Sequence, residues 1–424
     1  MDSFKGSKEK QNKSNNNFMN NLLFKIRSKY ILSKIISHLK ENMSLEIIKY
    51  SKKIQNRLNI SLNDYQNFNF QSEIEVEIIP AKIAFAKFIN FLEPKDKEYC
   101  HIYFDKSKGR IITDSVYTNS SVSKITIIIG PQVKSFYKLF YECDGIESIN
   151  FKKFFRANIY NMSYMFSYCH SLKEVTFSKF NTNNVIDMNH MFSDCYLLKE
   201  VNISNFNTLN VSNMSHMFYG CSSVEKLNLS YLNTINLTNM SFMFSGCASL
   251  KELNLSNLNT NKVRNMCDLF CGCSKLKEIN LSNFETDNAT DISYLFCGCS
   301  SLEKINLANF RTNKVKNMSG IFCRCCSIKE LNLSNFKTSN VDNMNSMFYA
   351  CSSINQLDLS NFNTNKVKNM YNMFNGCSSL KELNISNFNF KNVKDMKGMF
   401  SRCSPELIKK IEAQQKNIRK EALA

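Results

Sequence analysis

The sequence predicts an α/β repeat solenoid, a parallel β ladder with short helical turns, preceded by a small N-terminal helical and β-rich region and closed by a C-terminal capping helix. Three observations carry this expectation. One 26-residue unit recurs from Cys143 to Cys403 without insertion or deletion. Phe precedes each Cys of that series by three residues, from Phe140 to Phe400. Each unit also alternates apolar and polar residues over a short stretch, then spaces its apolar residues about four apart. A fixed period of this length marks stacked supersecondary units, none of which buries its apolar face alone.

Within one unit, Leu253 and Leu255 point one way and Asn254 and Ser256 the other, which predicts a short strand. Asn265, Met266 and the run to Phe270 predict a single helical or 3₁₀ turn. A second apolar column repeats at Met162, Met188, Met214 and Met240 and continues to Met396. Residues 122–140, with Ile125, Ile128, Val133 and Phe136, fit the columns loosely and are expected as a degenerate first unit, so that the solenoid spans 122–403. After it, Ser404 and Pro405 suit the N-cap and first turn of a helix. Leu407, Ile408 and Ile411 give that helix its apolar stripe, assigning 404–424 to a cap.

Ahead of the repeats, residues 1–17 are Asn- and Lys-rich and are expected as a disordered basic tail. Residues 18–66 predict a small helical segment, with Ile31, Leu32, Ile35, Ile36 and Leu39 on one stripe. Over 67–121 the pattern changes: Ile74, Val76 and Ile78 alternate with Glu73, Glu75 and Glu77, and His101 to Phe104 follow. This predicts a β-rich connecting and capping module that shields the open apolar face of the first unit.

The net charge is +18, and residues 1–60 hold 13 Lys and Arg against four Asp and Glu. Lys clustered in an Asn-rich tail reads first as solvation, so nucleic acid is not an expected partner. No apolar run reaches the length of a transmembrane helix, and Met1 to Asn17 lack the apolar region of a secretory signal. Cys occurs 17 times, an odd number set largely at one periodic position, unlike a paired disulfide framework. Asn-x-Ser triplets at Asn202, Asn228, Asn254, Asn280, Asn332 and Asn384 fall inside the predicted strands, where glycans would obstruct packing. The expected location is cytoplasmic; the alternative is the cell surface, reached by unconventional export.

The unit Cys-Ser-Ser-Leu-Lys-Glu-Leu-Asn-Leu-Ser-Asn-Phe-Asn-Thr-x-x-Val-x-Asn-Met-x-x-Met-Phe, plain at 351–374 and 377–400, resembles the repeat of BspA-type leucine-rich-repeat proteins. The resemblance implies an elongated or curved solenoid used for binding, often as a surface protein associated with adhesion, and no catalytic chemistry. More faintly, Ser28 to Leu39 followed by Leu45 to Leu58 resembles an F-box, which implies docking on a small adaptor of ubiquitin ligases. Lys29-Tyr30 stands where that family opens with Leu-Pro, and no Trp is present. A helical cap or linker is the simpler reading of the segment.

No residue set predicts an enzyme: glycine-rich phosphate loops, nucleophile elbows and paired catalytic carboxylates are absent from the sequence, and no cofactor is expected. The five His, at 38, 101, 170, 190 and 216, are expected on the surface. The periodic Cys column reads as core packing. Cys271, Cys297 and Cys323 form a second, shorter column inside a denser cluster, Cys267 to Cys326. Soft thiolates at close range bind Zn²⁺ or Cu⁺, but Cys-x-Cys is not the usual zinc-knuckle spacing, so core or partly exposed thiols are expected and no metal.

The candidate binding residues are the outward strand columns: Asn202, Asn228, Asn254, Asn280, Asn306, Asn332, Asp358 and Asn384, with Ser204, Ser230, Ser256 and Ser282. Amides and hydroxyls in rows could hydrogen-bond an extended peptide or a glycan, whereas stacked Asn side chains could equally bond one another. Loop cations including Lys262, Lys314 and Lys366 form a second patch, suited to acidic partners. The expected function is a non-catalytic protein-binding scaffold, an intracellular substrate adaptor in its sharpest form. The alternative is a surface adhesion protein that binds host or matrix protein or glycan.

Overall fold

The computed structural model describes residues 73–423 apart from 92–94, 106, 108, 118–120, 155–157, 179 and 416–417, together with Lys52 and Asn56. The chain divides into two compact units, 1–72 and 73–424. The expected tail and, but for Lys52 and Asn56, the helical segment 18–66 lie outside the described residues.

The second unit is the expected solenoid, a leucine-rich-repeat-like stack of parallel coils. It begins with a mixed sheet, antiparallel but for its last pair, made of β1 (Ile74–Pro80), β3 (Cys100–Phe104), β5 (Ile125–Ile129), β6 (Ile146–Lys153) and β7 (Glu174–Phe177) in the order β3-β5-β1-β6-β7. A small hairpin-like pair, β2 (Phe85–Lys87) with β4 (Ser115–Tyr117), and a four-residue helix α1 (Asp96–Tyr99) complete this module. Alternation decides its inward face: Ile74, Val76 and Ile78 of β1 and Ile125, Ile127 and Ile129 of β5 are fully buried. The strand β6 is the junction. It pairs antiparallel with β1 on one side and parallel with β7 on the other, so the open edge of the first coil is covered by β1.

Residues 122–140 therefore divide rather than form one degenerate unit. Ile125 and Ile128 belong to β5 of the capping sheet, with Ile128 on its half-exposed face. The coil pattern starts at Phe136, whose N–H donates to the Asn161 carbonyl of the next coil at 2.9 Å.

Short strands recur on one side of the stack and pair in twos: β8 (Lys226–Asn228) with β9 (Glu252–Asn254), β10 (Glu278–Asn280) with β11 (Lys304–Asn306), and β12 (Gln356–Asp358) with β13 (Glu382–Asn384). A second series of parallel bridges is unbroken. It runs coil by coil from Asn161 through Asp187, Asn213, Asn239 and Asn265 to Asp395.

The segment expected as a helical turn is instead a run of interlocked turns. From Met266, alternate N–H groups leave the coil: Met266 donates to the Asp291 carbonyl at 3.0 Å, Asp268 to Ser293 at 2.8 Å, Phe270 to Leu295 at 2.9 Å and Gly272 to Cys297 at 2.7 Å. The intervening groups close turns within the coil, as Leu269 does on Met266 and Cys273 on Phe270. Two left-handed residues make this alternation, Asp268 at φ 54° and Gly272 at φ 74°. The pair recurs in neighbouring coils, at His216 and Gly220 and at Tyr294 and Gly298. A helix would direct every N–H along its own axis; the left-handed residues, at a local cost of about 1–2 kcal/mol where they are not Gly, turn half of them toward the next coil.

The core is filled by the periodic columns. Phe140 to Phe400 stack face to face, centroids 5.3–6.1 Å apart and planes within 3–12°. The Cys column is buried beside it. From Cys169 to Cys403 each Sγ donates to the carbonyl of the Phe 29 residues earlier, at 2.9–3.2 Å. Burial raises these thiols well above their ordinary range, so they stay protonated and inert.

A buried Thr column, which the hydrophobic pattern does not expose, joins the coils at a third place. Thr234 is 2% exposed, donates to the Asn259 carbonyl at 2.9 Å and accepts the Asn259 N–H at 2.7 Å. The column runs from Thr182 to Thr364; at the following position stands Phe390, packed beside Phe388 in the last coil, where no further coil offers a partner. The far end is closed by α2 (Pro405–Gln414), whose Ser404 side chain accepts the Leu407 N–H and whose Leu407 and Ile411 are buried. Beyond it, the carbonyls of Glu421 and Ala422 accept the outward N–H groups of Gly398 and Phe400, the bonds another coil would have made.

Thr234→Val keeps the shape and leaves the Asn259 peptide unpaired on both sides. It should destabilise the chain by about 1–3 kcal/mol in urea unfolding, whereas Thr234→Ser should recover most of the loss. Gly145 bonds the Lys87 carbonyl at 2.8 Å, and a Cβ there would collide with the Ala86–Lys87 backbone. Gly145→Ala should loosen the capping sheet from the first coil, read as faster hydrogen exchange at Ala81 and Phe88 with coils beyond 200 unchanged.

Candidate functional site

The strand side of the solenoid carries an open groove, and its floor is built from the outward positions of consecutive coils. Thr176, Asn202, Asn228, Asn254, Asn280 and Asn306 form one row. Beside it stands a charged row, Glu174, Glu200, Lys226, Glu252, Glu278 and Lys304. Toward the C-terminal end, Asn332, Asp358 and Asn384 line a second stretch together with Leu407, Lys410 and Gln414 of α2. Period-2 alternation puts these side chains outward, because Leu227, Ile279 and Leu357 between them are buried in the core.

Every candidate Asn or Asp is fixed in the same way. The Asn202 Oδ1 accepts the Ser204 N–H at 3.0 Å, Asn254 that of Ser256 at 3.1 Å, Asn280 that of Ser282 at 3.0 Å and Asp358 that of Ser360 at 2.9 Å. Asn228 and Asn332 also receive the following Ser hydroxyl, each at 2.8 Å. These are Asx turns that end the strand. The stacking of Asn on Asn expected for this row is thus replaced by a bond each residue makes to its own coil. Coil-to-coil amide bonding belongs to another row, where Asn257 donates to the Ser230 carbonyl at 2.9 Å and Asn335 to Ala308 at 2.7 Å. The Asn202 to Asn332 residues are exposed and their side-chain oxygens bound. Asn384 differs, since its amide bonds Asp358 and lowers that carboxyl after the Ser360 N–H and hydroxyl have done so.

Of the serines, Ser204 lines the groove; Ser230, Ser256 and Ser282 stand outside that lining, and Ser230 and Ser282 are half-buried. The charged row was legible as a period and was not singled out in the sequence. One pair within it is neutralised across coils, Lys226 with Glu252 at 2.6 Å, and at the preceding positions Lys251 pairs with Glu225 at 2.9 Å. The loop cations are also tied down, Lys262 donating to Asn236 at 2.9 Å, Lys314 to Asn288 at 2.6 Å and Lys366 to Asn340 at 2.8 Å.

On the turn-bearing side, two histidines expected on the surface are half-buried in a ring stack. Tyr164, His190, His216 and Phe242 lie face to face at 4.3, 4.1 and 4.5 Å. The signal was present, since 190 and 216 are one period apart. Burial, with the neighbouring His216, pushes His190 down to about 4, and burial lowers His216 against the opposing pull of Asp194. The His216 Nδ1 is buried without a hydrogen-bond partner.

These features define a class: a repeat solenoid with a polar, regularly presented strand face, and no constellation of catalytic side chains among the described residues. The chain belongs to the family described as "Mycoplasma protein of unknown function, DUF285", whose profile matches residues 134–254, 218–330 and 298–413. Comparison with curated proteins finds no match. Among solved structures, a leucine-rich repeat protein from Bacteroides ovatus is 19% identical, with 75% of this chain and 80% of that chain covered and a TM-score of 0.42. A Toll–Spatzle complex of Drosophila is 16% identical, covering 52% of this chain and 34% of that one, TM-score 0.24. At these identities the likeness concerns the repeat fold alone. Among the described residues no helix is long and apolar enough to cross a membrane.

Because the fold holds His190 and His216 neutral, the unfolded chain takes up protons that the folded chain refuses as pH falls below about 6.5. Their contribution is complete above that pH and is lost as pH falls below it, for His190 toward about 4. A His190→Phe, His216→Phe double variant, carrying the residue already present at 242, should lose less of its urea midpoint between pH 7.5 and pH 5 than the parent chain.

Proposed function

We propose that this chain is a non-catalytic scaffold that binds a protein partner along the strand-side groove. The observation that carries the reading is the uniform presentation of the Asn row. From Asn202 to Asn332 each side-chain oxygen is held by its own coil's backbone, which leaves the amide N–H₂ as the group to offer a partner, one per coil at about the 4.8 Å strand spacing. Such pre-oriented donors cost little ordering entropy on binding. The flanking row of Glu and Lys adds charges of both signs, which favours a polar polypeptide over a uniformly charged polymer such as nucleic acid. An intracellular substrate adaptor is the sharper form, in which residues 18–66 recruit a second, adaptor protein and the groove holds the substrate; a cytoplasmic location belongs to it.

A second reading, a surface adhesion protein that binds host or matrix protein or glycan, has one observation in its favour. Tyr231 lines the groove and is 63% exposed, offering a ring face on which a sugar could stack beside neutral amides.

A photo-reactive residue replacing Asn254 should cross-link a protein partner, while the same group at Tyr371 on a turn segment should not. Capture from Tyr371 alone would overturn the groove assignment. Glycan retention that Tyr231→Ala abolishes, with no protein captured from Asn254, would favour the adhesion reading.

A further inference from the structure

The three thiols of the short Cys column are packed differently from the structural Cys column beside them. Cys273, Cys299 and Cys325 are fully buried, and each donates its thiol to a Phe carbonyl. Cys271, Cys297 and Cys323, two residues before them, turn the other way: Cys271 and Cys297 are half-exposed and Cys323 is 9% exposed. They sit on three consecutive coils locked in register, with the Gly272 N–H bonded to the Cys297 carbonyl and the Gly298 N–H to the Cys323 carbonyl, both at 2.7 Å. Neighbouring strands at about 4.8 Å place such Cα atoms within the range a disulfide needs, about 4.4–6.8 Å.

The three side chains are electrostatically coupled. Cys271 and Cys297 influence each other's protonation, as do Cys297 and Cys323, so the sulfurs form a line with Cys297 on the coil between the other two. The line has a direction. Cys271 is raised, first by its bond to Cys297 and then by burial, and Asp268 lies beside it. Cys297 is pushed up to about 12 although Cys271 donates to it, because its own bond to Cys323 and its burial outweigh that donation. Cys323 is lowered, first by accepting from Cys297 and, against its burial, by the positive charge of Arg324. Protons are thus held at the Cys271 end and the thiolate is favoured at the Cys323 end. A single metal ion would need three or more ligands converging on one point, and among the described residues no such group of His, Cys, Asp and Glu exists.

We infer that Cys323, Cys297 and Cys271 form a peroxide-responsive thiol–disulfide relay on the turn-bearing side of the solenoid. The Cys323 thiolate attacks hydrogen peroxide or an organic hydroperoxide, breaking the O–O bond to give a sulfenic acid and releasing hydroxide, or the alkoxide. The Cys297 thiol then attacks that sulfenic sulfur; the S–S bond forms, the S–O bond breaks and water leaves with the thiol proton. Two thiols are oxidised by two electrons in all, and one peroxide is reduced to two waters, or to water and an alcohol. The Cys271 thiol, once deprotonated, can attack the Cys297 sulfur and expel Cys323 as thiolate, which moves the disulfide one coil along without further oxidant. Cys297, on the coil between the other two, is the obligatory exchanging sulfur.

The full chain, reduced and freed of reductant, is exposed to hydrogen peroxide, alkylated under denaturing conditions and mapped by mass spectrometry without reduction. Two thiols should be lost per chain, with linked peptides joining Cys297 to Cys323 or to Cys271, reversible by dithiothreitol. Cys297→Ser should abolish both links, and Cys323→Ser should leave only the Cys271–Cys297 link, formed several-fold more slowly. Alkylation of the folded variants by a small reagent checks that the buried column remains protected, which separates loss of the relay from loss of the fold. Oxidation of Cys323 to sulfinic acid with no linked peptide, or links formed as readily among Cys273, Cys299 and Cys325, would overturn the relay.

Discussion

The structure depends on the pairing of each coil with the next at a fixed offset. On the turn side the donor at position i meets a carbonyl at i+25, as Phe270 does with Leu295, and Thr234 meets the Asn259 peptide at the same offset. Because these bonds and the Phe stack all share one register, coil length is not free to vary. One inserted residue would displace every later donor from its acceptor and rotate core residues outward. The unbroken 26-residue period follows from this constraint. The same offset explains the tolerance of left-handed φ at residues such as His190 and Tyr294: each costs local strain and supplies a bond to the next coil.

Stacking of this kind leaves two unsatisfied ends, and the chain treats them differently. At the start, β6 accepts an antiparallel partner, β1, in place of a preceding coil. At the finish, α2 covers the apolar end through Leu407 and Ile411, while the carbonyls of Glu421 and Ala422 stand in for the missing coil. The columns register the ending as well: Thr gives way to Phe390 where there is no next peptide to pair with.

The two sides of the solenoid spend their polar groups in different ways. Toward the turns, polar atoms are largely consumed by the stack, and beside them run Cys271 and Cys297, half-exposed, and the buried Cys323. Toward the strands, the Asx turns consume only the oxygen of each side chain, leaving rows of amide donors beside charges of both signs. The proposed binding groove and the proposed thiol relay therefore lie on separate sides of one frame, and neither uses the buried Phe, Met and Cys columns that hold it together.

Hydrophobic periodicity is enough to read the solenoid, its inward columns, the outward Asn row and the C-terminal cap, because burial of apolar side chains depends on spacing along the chain alone. Periodicity did not reveal the Thr column, since a residue that is polar and buried defies the pattern used to find the core. It also suggested helical turns where left-handed residues such as Asp268 interlock the coils, and surface histidines where His190 and His216 stack. These features are decided by what lies one coil away. The sequence by itself determined which residues face inward and that the units stack; only the tertiary structure decided which polar groups are spent on that stacking and which remain to act, because a hydrogen-bond partner 25 residues distant leaves no local mark.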